Sequence, residues 1–155
     1  MKKIFIIIVL LILNNCAGYE PIFSSKDVNF YIGEITIKED NKLIRNIVKN
    51  LKPYTIKNDK RRINLELNLD IKEAITLKDS KGNTVSEEMG IALEVKTILE
   101  NNDQIKFNFS EKFTFNNQSN KFELNQYKKR MQINLVEKIY QDLTFLILGA
   151  VNLFL

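Results

Sequence analysis

The stretch INLELNLDIKEAITL, residues 63–77, decides the fold. Its odd positions read Ile63, Leu65, Leu67, Leu69, Ile71, Glu73, Ile75 and Leu77; its even positions read Asn64, Glu66, Asn68, Asp70, Lys72, Ala74 and Thr76. Side chains alternate across a strand, so period two over this length predicts a long strand with one dry face and one wet face. The DSKGN at residues 79–83 is turn chemistry. Residues 89–99 repeat the alternation with Met89, Ile91, Leu93, Val95 and Leu99, and Asn101, Asn102 and Asp103 turn the chain again. Residues 105–115 then set Ile105, Phe107, Phe109, Phe113 and Phe115 against Lys106, Asn108, Ser110, Lys112 and Thr114. Three alternating strands joined by short turns make an antiparallel meander.

Working outward, residues 28–37 (VNFYIGEITI) are β-branched and aromatic, which predicts another strand. The alternation changes phase at Gly33, so a β-bulge is expected there. Residues 40–51 predict a short helix capped by Asp40, with Leu43, Ile44, Ile47, Val48 and Leu51 on one face and Pro53 as its stop. Residues 120–148 predict a long helix, with Asn120 as cap, Glu123 three residues on, and a buried stripe of Leu124, Tyr127, Met131, Leu135, Ile139, Leu143 and Leu146. Gly149 is expected to end it. The order β-α-β-β-β-α implies an α+β two-layer sandwich: a four-stranded, mostly antiparallel sheet covered on one face by two helices.

Composition narrows the function. The chain has 155 residues, 45% hydrophobic and 27% charged, which suits one globular domain. The formal charge of +4 includes Lys2 and Lys3, and without them 21 basic residues face 19 acidic ones. That balance does not indicate nucleic acid as a partner. There is no His and only one Cys, so a His/Cys metal site, an intramolecular disulfide and the Ser-His or Cys-His nucleophile pairs lack their parts. No cofactor and no enzymatic activity are expected. Carboxylate chemistry is the remaining enzymatic route, and its candidate is Glu73, which interrupts an apolar row; a residue at the sheet margin is the simpler reading.

The first residues carry a separate message. Positive charge at residues 2–3 precedes ten apolar residues, 4–13 (IFIIIVLLIL), and then Leu13-Asn14-Asn15-Cys16. Ten residues are about half of what a bilayer span needs, and the order suits a secretory signal. The segment resembles the lipobox of bacterial lipoproteins, with Leu13 in place, Asn14 and Asn15 where small residues are usual, and Cys16 as the residue that is lipidated. The expected division is a signal peptide over 1–15, a lipidated tether over 16–26 and a single α+β domain over 27–155. By the same resemblance, Ala17 in place of Asp directs the protein to the outer membrane, facing the periplasm. Several acyl chains on one residue make the anchoring stable.

After Cys16 the chain reads Ala17-Gly18-Tyr19-Glu20-Pro21-Ile22-Phe23. A lipidated Cys, a Gly-aromatic-x-Pro segment, then strand, helix, meander and long helix resembles the lipopolysaccharide-assembly lipoprotein family, LptE, with Ala17 as an insertion relative to the pattern. The resemblance spans the mature chain. It implies a plug inside a large outer-membrane β-barrel of the LptD kind, aiding delivery of lipopolysaccharide to the outer leaflet. A free lipid-binding or carrier lipoprotein is the alternative.

A lipopolysaccharide binder presents cations to phosphate. Two clusters offer them: Lys57, Lys60, Arg61 and Arg62 before the long strand, and Lys128, Lys129 and Arg130 on the last helix. Charge runs more often only keep a surface wet. The tip at residues 78–84 is expected to project beyond the helices, as a contact point or as a tolerant turn. The Phe107, Phe109, Phe113 and Phe115 set reads as core before it reads as a lipid pocket. Residues 145–155 (FLILGAVNLFL) are too few to cross a bilayer and are expected to be buried in the domain or in an interface.

Overall fold

The computed structural model describes residues 28–154. The expected signal peptide, Cys16 and the expected tether lie outside the described residues. Strand β1 (Phe30–Ile37) leads into helix α1 (Lys42–Leu51) and one 3-10 turn (Lys52–Thr55). Strands β2 (Arg61–Lys78), β3 (Thr84–Leu99) and β4 (Gln104–Asn116) come next, and helix α2 (Lys121–Phe154) is last. The sheet order is β1-β2-β3-β4, with β1 parallel to β2 and the meander antiparallel. This is the expected α+β architecture.

Both helices cover the face built from the odd-numbered meander residues. Ile63, Leu65, Leu67, Leu69, Ile91, Leu93, Val95 and Phe109 are buried there with Ile44, Ile47 and Leu51 of α1 and Leu135, Val136, Ile139, Leu143 and Ile147 of α2. A second cluster of Met89, Phe115 and Leu124 packs under the first turns of α2, where Phe113 meets Tyr127 edge-on at 5.5 Å between ring centroids. The register of β1 against β2 shifts between Ile32 and Glu34, which places the bulge at Gly33.

Four local expectations are corrected. Asn41, not Asp40, caps α1: its Oδ1 accepts from the backbone N–H of Leu43 and Ile44 at 2.9 and 3.0 Å. Asp40 instead holds Arg45 through two hydrogen bonds, which keep its carboxyl below the usual range. In α2 the buried residue of the penultimate turns is Ile147, while Leu146 is 41% exposed. The stripe through Leu135, Ile139 and Leu143 advances by four residues at each step, and the next step lands on 147. Gly149 does not end α2, which continues to Phe154; one helical glycine costs only about 1 kcal/mol. Finally, the dry row of β2 stops at Leu69, and Ile71, Ile75 and Leu77 are exposed. Strand β1 pairs with β2 only as far as Leu67, so among the described residues no strand flanks residues 68–78 on that side.

Candidate functional site

The sheet has two distinct ends. At one, β1 begins (Phe30 opposite Arg61), β3 finishes (Leu99 opposite Ile63) and β4 starts. The last turns of α2 arrive there too: Thr144 and Ile147 face Phe30, Ile32, Leu51 and Tyr54 across a gap of about 10 Å³. That is room for one water and not for an acyl chain. Tyr140 ties the helices together, its hydroxyl donating to the Asn50 carbonyl at 3.1 Å. At the other end the β2–β3 tip projects and α2 begins, with Asn117 bonded to Val85 and Thr84.

The first basic cluster sits at the β1 end. Lys60 donates its ammonium to the Val28 carbonyl. The Arg62 backbone N–H donates to Glu100 Oε1 at 3.1 Å, and its side chain lies over Gly33, in the space a methyl group there would need. Lys57, Arg61 and Arg62 are exposed. The second cluster divides. Lys129 and Arg130 point to solvent, but Lys128 turns inward. Its ammonium donates to Glu87 at 2.8 Å and Glu73 at 2.9 Å, 4.7 Å from the centre of the Phe115 ring. Burial opposes the charge of Lys128, and the two carboxylates more than offset it, so its pKa is raised. Glu73, which sequence alone marks as odd on an apolar row, is thus the sheet's half of a helix-to-sheet ion pair. Lys138 does the same job farther along, reaching Glu111 at 2.8 Å.

The structure does not unite the two clusters. Residues 61 and 73 lie on one strand, about 40 Å apart at 3.3 Å per residue. No single phosphorylated headgroup touches both.

The tip at residues 79–83 is rigidly tied. Asp79 accepts from the backbone N–H of Lys81 and Asn83 and from the Asn83 side chain, which lowers its pKa. Gly82 has φ of +83°, a conformation that favours glycine.

The open face of the sheet holds a feature that periodicity does not reveal. Ala74, Gly90, Ala92 and Ser110 form the floor of a shallow depression of about 290 Å³, walled by the ion pairs Lys72–Asp70 and Lys112–Glu88. The signal for it is small residues at even positions of three different strands, and these meet only once the register is known.

The same architecture occurs in bacterial lipoproteins of known structure. Rare lipoprotein B of Shewanella oneidensis superposes with a TM-score of 0.57 at 16% identity, over 79% of this chain and 99% of that one. A minor lipoprotein of Acinetobacter baumannii gives 0.57 at 12% identity, over 79% and 92%. Lipoprotein B of Nitrosomonas europaea gives 0.56 at 11% identity, over 87% and 96%. At these identities the likeness is one of fold. No family model and no curated protein matches the chain.

Proposed function

We propose that this protein is a non-enzymatic outer-membrane lipoprotein, acylated at Cys16, whose domain plugs and helps assemble a β-barrel of the LptD kind that translocates lipopolysaccharide. One observation carries the reading: a signal-and-cysteine segment precedes a β-α-β-β-β-α domain whose fold recurs in rare lipoprotein B. The resemblance to the LptE family adds the barrel and the lipopolysaccharide.

Exposure selects the site residues. Lys57, Arg61 and Arg62 are available to lipid phosphate at the β1 end, and Lys129 and Arg130 on the flank of α2. Lys60 and Lys128 already serve the fold. An enzymatic role through Glu73 is disfavoured, because its carboxylate is committed to Lys128. The free-carrier alternative needs an internal lipid cavity, and among the described residues the gap between α2, β1 and α1 is far too small for one.

Affinity purification of the full chain from gently solubilised membranes, with mass spectrometry of the co-purified protein and lipid, tests the reading. A large β-barrel and lipopolysaccharide are expected with it. Recovery of an acylated chain that repeatedly comes alone would overturn the plug role.

A further inference from the structure

We propose that, in the free lipoprotein before any barrel encloses it, the β1 end of the domain lies flat on an anionic phospholipid surface, with the basic loop at residues 57–62 against the headgroups and the last turns of α2 among the acyl chains. This rests on the reading of Cys16 as the lipidated residue.

Three features converge at that end. The first is where the anchor enters. Val28 is buried there and lies twelve residues after Cys16, so the tether reaches at most about 40 Å from bilayer to domain. The second is charge. Residues 52–62 and 100–103 supply five cations, Lys52, Lys57, Lys60, Arg61 and Arg62, against Asp59, Glu100 and Asp103. Polybasic segments beside a lipid anchor are drawn to anionic headgroups. The third is the end of α2. Asp142 is the last charged residue of the sequence, yet the helix runs on to Phe154. Phe145 is 65% exposed and Leu146 41% exposed on it, and in sequence residues 148–155 are apolar apart from Asn152.

Any one of these features is ordinary. Together they order apolar residues, cations and an acyl anchor as an interfacial protein requires. Among the described residues no helix is long and apolar enough to cross a membrane, so α2 enters the surface and does not span it. A second copy would bring like-charged loops together.

The chain has no tryptophan, so a single introduced indole reports on one place. The full acylated chain carrying Phe145→Trp is reconstituted into vesicles of phosphatidylethanolamine and phosphatidylglycerol, with and without brominated acyl chains. Leu146→Trp serves as a second probe of the same turn, and Phe122→Trp at the far end of α2 as the control. The Phe145→Trp and Leu146→Trp emission is expected to shift to the blue and to be quenched by the brominated lipid. Phe122→Trp is expected to keep its aqueous emission. Adding Arg61→Glu and Arg62→Glu to Phe145→Trp is expected to reduce the quenching. Equal quenching at both ends of α2, or none at either, overturns the proposal. So does a blue shift that tracks protein concentration without lipid, which would mean a second copy. A chain that does not float with the vesicles at all removes the anchor reading, and this inference with it.

Discussion

Thr97 is fully buried on β3, two residues before that strand ends, and its hydroxyl has no hydrogen-bond partner among the described residues. A buried hydroxyl without a partner costs about 1–3 kcal/mol. Thr97→Val keeps the shape and removes the polar atom, so stability should rise by about 1 kcal/mol, read as a higher urea midpoint at unchanged slope. Lys128 is the opposite case, a charge whose partners hold it. Its folded pKa is raised above the ordinary 10.5, so its contribution is complete below that value and fades as pH climbs through the folded one. Lys128→Met is expected to lower stability at neutral pH by about 1 kcal/mol after allowance for solvent screening. In chemical melts repeated above pH 10.5 the deficit should narrow; a deficit that stays constant would mean that packing on Phe115, not charge, explains it.

Among the elements, α1 shows how a one-residue ambiguity is settled. Asp40 and Asn41 are both good caps, and sequence alone does not separate them. The structure assigns the cap to Asn41 and gives Asp40 to Arg45. Asn41→Ala should cost about 1 kcal/mol, and Asp40→Ala, which removes only a solvent-exposed ion pair, clearly less, measured by thermal denaturation. The end of α2 offers a matched pair. Ile147→Ala is expected to cost about 2–5 kcal/mol, and Leu146→Ala within about 0.5 kcal/mol. The same contrast marks what is legible in the sequence. Strands with one wet and one dry face announce themselves, so the meander and its inward Phe residues are readable from residues 63–115. The phase change at Gly33 gives away the bulge. The parallel pairing of β1 with β2, the ion pair that absorbs Lys128, and the depression around Gly90 depend on which residues lie across from one another. That is set by tertiary packing and is invisible to periodicity.

At the scale of the molecule, the separation of the two basic clusters makes lipopolysaccharide contact a question of which end. One variant reverses Arg61 and Arg62, another Lys129 and Arg130. A single headgroup reaches one cluster only, so one variant should lose co-purifying lipopolysaccharide while the other retains it. Equal losses from both would mean at least two bound molecules. Strand length matters as much as charge. Past Leu67, β2 goes on to Lys78 with no neighbouring strand on its β1 side among the described residues, displaying backbone donors and acceptors together with exposed Ile71 and Ile75. Such a rim is a template that another polypeptide can zip onto. Asp70, Lys72, Glu73 and Lys78 punctuate it with charge, a common defence against fibrils. Asp70 and Lys72 already pair with each other and Glu73 with Lys128, so a strand laid along this margin would meet charges that are balanced before it arrives.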